Sequence, residues 1–372
     1  MTTFDALPKV ELHCHLEGTM RPATVVELAR RNDVPLPVAE PSELYRYDSL
    51  DGFLRVFWLV QSTLVRAEDW SRLAYESVVD GARHGVVYRE AFFTPARHLA
   101  DGQDLASIVA GLDEGLSAAE AETGAGCFLI ADMDRAFGPA AGLELVDRLA
   151  ALRRSGARGI ERVLGVGMDS TELGIDPASY LPAYQAARVA GFRLTAHQGE
   201  NSPASAIATC LDVLGVERID HGLSVMEDPE LVRRLADTRI PLTVCPTSNI
   251  LIANAFPRLE DHSYPQLRAA GLLATVNTDD PALIDLDLAA EYDAVAAAFG
   301  YSWQDMVGIS LDALEASWLD PEQKTRLRKH ITSTASREAS SGPPGTSSQP
   351  DGNAIPGAVR DKGVQSGHEL AS

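Results

Sequence analysis

Short apolar runs alternate with longer amphipathic stretches along nearly the whole chain, and few folds accommodate that rhythm. A βαβα succession calls for parallel strands joined by crossover helices. Candidate strands are Val10–Leu16, Val86–Phe93, Cys127–Asp132, Arg162–Met168, Arg193–His197, Arg218–His221, Leu242–Cys245 and Ala274–Asp279. Eight is the number that closes a parallel barrel, so the expected fold class is α/β, a (β/α)8 barrel of the TIM type. Between the strands, ATVVELARR, EDWSRLAYESVVDGARHG and DPELVRRLADTR carry apolar residues at three- and four-residue spacing, the helical period. Asp228-Pro229 ahead of Glu230, and Ser42 ahead of Glu43 and Leu44, are helix start signals.

Two segments depart from the alternation. From about Asp33 to Arg66 the connection after the first strand is too long for a simple βα loop. It contains LDGFLRVFWLVQ, rich in large apolar groups, and reads either as an inserted helical cover over the barrel mouth or as outer-layer packing. From Thr332 to Ser372 the chain turns to Ser, Gly, Pro and Thr with few large apolar residues, too few to offset the entropy of ordering. The expected organisation is therefore one barrel domain, 1–331, and a disordered tail, 332–372. His330 and His368 are accordingly poor ligand candidates.

With 372 residues and 45% hydrophobic residues, a single large barrel is affordable. The formal net charge of -21 repels phosphate backbones and anionic lipid, so neither nucleic acid nor a membrane is an expected partner. There is no long apolar run and no secretory signal, and the four cysteines lack CxxC spacing, which together suggest reduced thiols in a cytoplasmic protein. A homo-oligomer is compatible with all of this.

The polar residues fall where a barrel builds its site. In VELHCHLEG, His13 and His15 are two apart on a strand and point the same way, toward the barrel interior if Leu12, Cys14 and Leu16 face the helices. Two imidazoles in an apolar interior need a partner, and a metal ion is one. TAHQGE ends a later strand with His197, and Glu200 follows three residues on. RIDHG ends the next with Asp220 and His221, and VNTDDP ends the last with Asp279 and Asp280. Each alone reads equally well as a polar group at a solvated loop. Their coincidence at the ends of strands 1, 5, 6 and 8 points to one site.

PKVELHCHLEGTMRP, TAHQGE, ERIDHG, LTVCPTSN and TVNTDDP, in that order, resemble the defining motifs of the adenosine/adenine deaminase family, a branch of the amidohydrolase barrels. The resemblance runs from about Pro8 to Leu319. It implies hydrolytic removal of the 6-amino group of a purine base or nucleoside, a small-molecule partner, giving the 6-oxopurine and ammonia. It also implies one Zn2+ per chain, held by His13, His15, His197 and Asp279. Glu200 would be the proton donor to the ring, and His221 and Asp280 the groups that handle the attacking water. Three neutral imidazoles and one carboxylate leave such a site net positive, able to draw the pKa of water toward neutrality. Addition to C6 costs aromaticity, which protonation of N1 offsets; a carboxylic acid serves only if burial keeps it protonated.

Two details bear on the substrate. After strand 4 the stretch is GMDSTE, with Ser170 at the place of the Gly in the Gly-Asp-Glu segment that adenosine deaminases show and Glu172 at the last acidic position. In HLEG, Glu17 stands where those enzymes have Asp reaching the ribose. Both resemble the adenine branch, so Glu17, Ser170, Glu172 and Asp280 are the expected substrate contacts and a free base the expected substrate. Phe92 and Phe93 read as pocket lining or as core. Alternatives are an N6-substituted adenine, a larger adenosine derivative, or a non-catalytic purine-binding homologue. Two-metal amidohydrolase chemistry uses a bridging carboxylated lysine on strand 4, and RVLGVGMDS contains none. The H-x-E…P-C-x-x-C spacing of deaminases that act on flipped bases is missing as well.

Overall fold

The computed structural model describes residues 3–38, 40–47 and 50–341, without the side chains of 50, 51 and 338–341. Eight parallel strands follow one another in chain order: β1 Lys9–Glu11, β2 Val86–Phe93, β3 Gly126–Asp134, β4 Val163–Asp169, β5 Arg193–Gln198, β6 Arg218–His221, β7 Leu242–Val244 and β8 Ala274–Val276. Their central residues, such as Val166, Ile219, Val244 and Val276, are fully buried, as a barrel wrapped in helices requires. The ring closes beyond β8 and β1, where His15 N–H donates to the Asp279 carbonyl at 2.8 Å and Asp279 N–H to the His13 carbonyl at 3.1 Å.

Each expected strand overlaps an observed one, but β1 and β8 are shorter than the apolar runs suggest. There side chains replace the ladder: Leu12 N–H donates to Asn277 Oδ1 at 2.8 Å, and the Thr278 N–H and hydroxyl both reach Glu11 Oε1, at 3.2 and 2.6 Å. The chain segments that carry His13, His15 and Asp279 thus leave regular strand just before the residues that matter.

The long connection after β1 forms two helices, Pro41–Leu44 and Leu50–Ser62. The second sets Phe53, Leu54, Phe57, Trp58 and Gln61 along the cavity at the barrel mouth, so of the two readings of this insertion the cover is the one the fold adopts. At the other terminus the last helix runs Pro321–Ser341, ten residues past the expected domain boundary at Ile331, and Ala335 on it is buried. Residues 332–341 are therefore helical rather than tail, because Ala335 continues the apolar stripe of Ile331 at helical spacing. Residues 342–372, the rest of the expected tail and His368 with it, lie outside the described residues. No helix among the described residues is long and apolar enough to cross a membrane, and all four cysteines are buried free thiols.

An ion pair spans the barrel interior. Glu90 on β2 and Arg218 on β6, four strands apart around the ring, are both fully buried and meet at 2.5 Å. Glu90 also accepts from Tyr88 Oη at 3.0 Å and from Trp318 N–H at 2.6 Å, while the Arg218 guanidinium lies 4.1 Å from the centre of the Trp318 ring. Removing one member of such a pair strands the other charge in the core. Arg218→Met is expected to lower the unfolding free energy by about 3–5 kcal/mol, read as a shifted urea midpoint at constant slope. A loss below about 1 kcal/mol would show that the pair is dispensable to the fold.

Candidate metal and catalytic centre

The C-terminal ends of β5, β6 and β8, with the extension of β1, bring His13, His15, His197, His221, Glu200, Asp279 and Asp280 together at one mouth of the barrel. All of them except Glu200 are buried, and Glu200 is nearly so. The cavity that all of them except His13 line is about 150 Å³ in volume. Phe92, fully buried, packs its ring 4.9–5.1 Å from those of His13, His15 and His197 and so serves as the wall behind them.

Second partners of the imidazoles decide what they present to the cavity. His13 Nδ1 lies 3.1 Å from the Thr243 carbonyl, and His197 Nδ1 lies 3.1 Å from the Met168 carbonyl. A carbonyl only accepts, so both Nδ1 atoms carry the hydrogen, and in the neutral rings both Nε2 atoms carry a lone pair. Yet the Nε2 atoms of His13 and His197 face each other at 3.0 Å, and that of His15 faces His197 at 3.1 Å. Asp279 Oδ1 sits 3.1 Å from His13 Nε2 and 3.4 Å from His15 Nε2. Two neutral imidazoles in this tautomer cannot hydrogen-bond to each other through Nε2, so the cluster is a set of acceptors converging on a point, which suits a cation. Tetrahedral zinc with ligands at about 2.0–2.1 Å has ligand–ligand edges of about 3.3 Å, so these spacings fit that ion. The donor set therefore passes a chemical test for a metal site.

The remaining contacts hold those ligands still. Thr243 Oγ1, also 3.1 Å from His13 Nδ1, donates to Asp220 Oδ1 at 2.7 Å, and Thr195 Oγ1 donates to Asp220 Oδ2 at 2.6 Å. Ser248 Oγ donates to Asp279 Oδ2 at 2.6 Å, which leaves Oδ1 for the cluster. The Arg135 guanidinium gathers the carbonyls of Asp169, Ser170 and His197 at the ends of β4 and β5. Asp279, His221 and Ser170 all adopt left-handed backbone, with φ of 66°, 64° and 66°. Such positions cost non-glycine residues free energy and persist where the surroundings enforce them.

Glu200 points its carboxyl at Asn249, whose Nδ2 donates to Oε1 at 2.6 Å, and lies 3.5 Å from His221 Nδ1. Burial raises its pKa, and the Asp279 and Glu172 carboxylates push the same way against the pull of His221 and Asn249. It is thus a carboxyl inclined to keep its proton. Asp280 lies so close to Gly18 that a Cβ there would sit 2.0 Å from Asp280 Oδ1, and that oxygen has no hydrogen-bond partner among the described residues.

The expected substrate contacts are placed less uniformly. Ser170 is exposed and lines the mouth. Glu172 borders the cavity, but its carboxylate accepts from Gln198 Nε2 at 3.0 Å, Gly199 N at 2.8 Å, Glu200 N at 3.1 Å and Ser202 Oγ. With four donors it is committed to the loop that carries Glu200. Glu17 is fully buried, accepts from Thr94 N–H at 2.9 Å, and leaves Oε2 without a partner among the described residues. Asp169, beside Ser170, takes the Thr94 hydroxyl at 2.6 Å on Oδ2 and turns an unpartnered Oδ1 inward; burial and the nearby Asp134 raise its pKa to about 8. Ser248, Asn249, Arg135, Asp169 and His262 carry no metal-type spacing, so sequence reasoning passed over them. The CPTSN segment holding two of them was nonetheless among the motifs of the resemblance.

Comparison with known proteins agrees with this geometry. Residues 8–334 match the family model described as adenosine deaminase. An adenine deaminase of Streptomyces coelicolor is 37% identical over 325 residues, 87% of this chain and 93% of that protein. The crystal structure of an adenine deaminase from Arthrobacter aurescens superposes with a TM-score of 0.82 at 33% identity, covering 88% of this chain and 98% of the other. An amidohydrolase from Burkholderia ambifaria, solved with bound Zn, gives 0.84 at 32% identity over 91% and 93% of the two chains. With the fold, the acceptor cluster and a match spanning the whole barrel in agreement, the chain belongs to the adenosine deaminase family.

Proposed function

We propose that the chain hydrolyses adenine, as the free base, to the 6-oxopurine and ammonia, using one zinc ion held by His13, His15, His197 and Asp279. The chemistry rests on one observation above the rest: three imidazole nitrogens and a carboxylate oxygen converge beside a nearly buried, protonation-prone Glu200. Bound there, zinc supplies Lewis acidity that draws the pKa of water toward neutrality. Glu200 gives its proton to N1 of the ring, which makes C6 electrophilic. Asn249 keeps the carboxyl aimed by donating to the oxygen that does not give up the proton. His221 and Asp280 flank the incoming water, and the unpartnered Asp280 Oδ1 accepts from it and fixes the face of attack. Asp280 takes one proton of the water and passes it to the 6-amino group. Collapse of the tetrahedral adduct then expels that group as ammonia, and the hydroxyl proton at C6 returns to Glu200.

The choice of the free base follows the relatives named adenine deaminase, 32–37% identical to the chain over 93–98% of their lengths. The unpartnered Asp169 Oδ1, on a residue that lines the cavity, supports it. A free purine has a ring N–H on its imidazole edge to give to such an acceptor, whereas a nucleoside has carbon there and would leave it unpaired. Glu172 is spent on the Glu200 loop, so its part in this reading is support rather than contact.

Three measurements check the proposal. Adenine is expected to exceed adenosine in kcat/KM by well over tenfold, about 1.4 kcal/mol; equal or reversed preference would defeat the free-base assignment and leave the chemistry standing. Elemental analysis should find one zinc per chain, lost together with activity in His13→Ala or Asp279→Ala, and two metals per chain would overturn the ligand scheme. Glu200→Gln should retain zinc and bind adenine while turnover falls by about 10²-fold or more, because an amide cannot deliver the proton. Retention of a tenth of wild-type turnover would move the acid role elsewhere.

A further inference from the structure

We propose that His262 is a positioning residue for this reaction: it fixes the orientation of the Asn249 amide and, through it, the tautomer of His221 and the direction of the Glu200 carboxyl. The inference rests on the functional reading above for its consequence, but on hydrogen-bond direction alone for its geometry. His262 lies outside every motif, between the seventh and eighth strands, buried against Phe256 with ring centres 4.6 Å apart.

The direction of the relay is set at its far end. Tyr264 N–H, which can only donate, meets His262 Nδ1 at 2.9 Å, so Nδ1 carries the lone pair. Burial lowers the His262 pKa to about 4, and the ring is neutral at physiological pH. A neutral ring with a lone pair on Nδ1 must carry its hydrogen on Nε2. That nitrogen is 3.3 Å from Asn249 Oδ1, to which it donates. The Asn249 side chain is fully buried, and its NH2 group therefore faces the other way, reaching Glu200 Oε1 at 2.6 Å and His221 Nδ1 at 3.1 Å. Flipped, the amide would set its NH2 against the His262 N–H, donor against donor, and lose that contact.

The consequence falls on His221. Its Nδ1 receives a hydrogen from Asn249, so the neutral ring holds its own hydrogen on Nε2, at the edge turned away from Asn249 and Glu200. In the resting site His221 is then a hydrogen-bond donor, able to hold an oxygen in place, while the oxygen's proton must pass to another acceptor. One backbone amide, that of Tyr264, thereby sets the polarity of a chain of four side chains that ends at both the acid and the water-handling histidine.

The test has two arms. In the zinc-loaded protein labelled with 15N-histidine, His221 is expected to show an unprotonated, hydrogen-bonded Nδ1 and a protonated Nε2, a measurement that needs no substrate. Finding the hydrogen on Nδ1 would overturn the relay whatever the enzyme turns over. In the second arm, His262→Leu should retain zinc yet lose about 10- to 100-fold in kcat for adenine, with a smaller change in KM, as loss of an outer support typically does. His262→Gln has both a carbonyl for Tyr264 N–H and an amide hydrogen for Asn249, and should recover most of that loss. Wild-type kcat in His262→Leu, or equal losses in both variants, would defeat the positioning role. Should wild-type protein fail to deaminate adenine at all, the functional reading falls, while the tautomer measurement still decides the relay.

Discussion

Several buried lone pairs meet at one point in the mouth of this barrel, and the surrounding structure is arranged so that they must. His13 and His197 each give their Nδ1 hydrogen to a backbone carbonyl, of Thr243 and Met168. Having done so, they confront each other, His15 and Asp279 Oδ1 as acceptors at 3.0–3.4 Å. Such an arrangement is repulsive by itself and becomes favourable only around a cation, which in a low-dielectric cavity is worth far more than in water. The protein's share is to hold the repulsive geometry by fixing His13, His197 and Asp279 from behind. A cation bound there would therefore stabilise the native structure.

That fixing is spread over groups that never face the cavity directly. Asp220 binds two threonine hydroxyls and so steadies Thr243 under His13. Ser248 occupies one oxygen of Asp279, and Glu172 spends all its acceptor capacity on the loop that ends β5. The β7 turn is anchored in its own right: Thr247 gives both its N–H and its hydroxyl to Glu291, a fully buried carboxyl with a pKa raised to about 7 by desolvation. Because Ser248 and Asn249 follow Thr247 directly, this anchor serves Asp279 and Glu200 together. Left-handed backbone at His221 and Asp279 belongs to the same pattern, with local strain accepted where it aims a side chain.

The two ends of the barrel divide the work. At the strand C-termini polar groups are left short of partners, as Asp280 Oδ1, Glu17 Oε2 and Asp169 Oδ1 are. Deeper in the barrel Glu90 and Arg218 meet tightly and are closed over by Trp318. The first end leaves acceptors unsatisfied; the second pairs opposite charges and links opposite strands. This separation is general to barrels, whose loops at one face can change chemistry without disturbing the other.

Much of this was legible in the sequence. The alternation of apolar runs gave eight strands in order, and the spacing of His13, His15, His197, His221, Asp279 and Asp280 placed them at strand ends, because side-chain direction in a strand has a fixed period and barrel strands all point their C-termini to one face. The family followed from those motifs. What the sequence left undecided were matters of partnership between distant segments. Glu17 and Glu172 look alike as acidic residues near the mouth, yet one is sealed beside Thr94 and the other is consumed by four donors around β5. The helical stretch 50–62 became a cover only once the barrel existed for it to cover. His262, with no motif around it, acquires meaning only when folding sets it between Tyr264 N–H and Asn249 Oδ1. Residue type and period belong to the chain itself, whereas which donor meets which acceptor depends on atoms brought together from far along it, and those pairings only the tertiary structure decided.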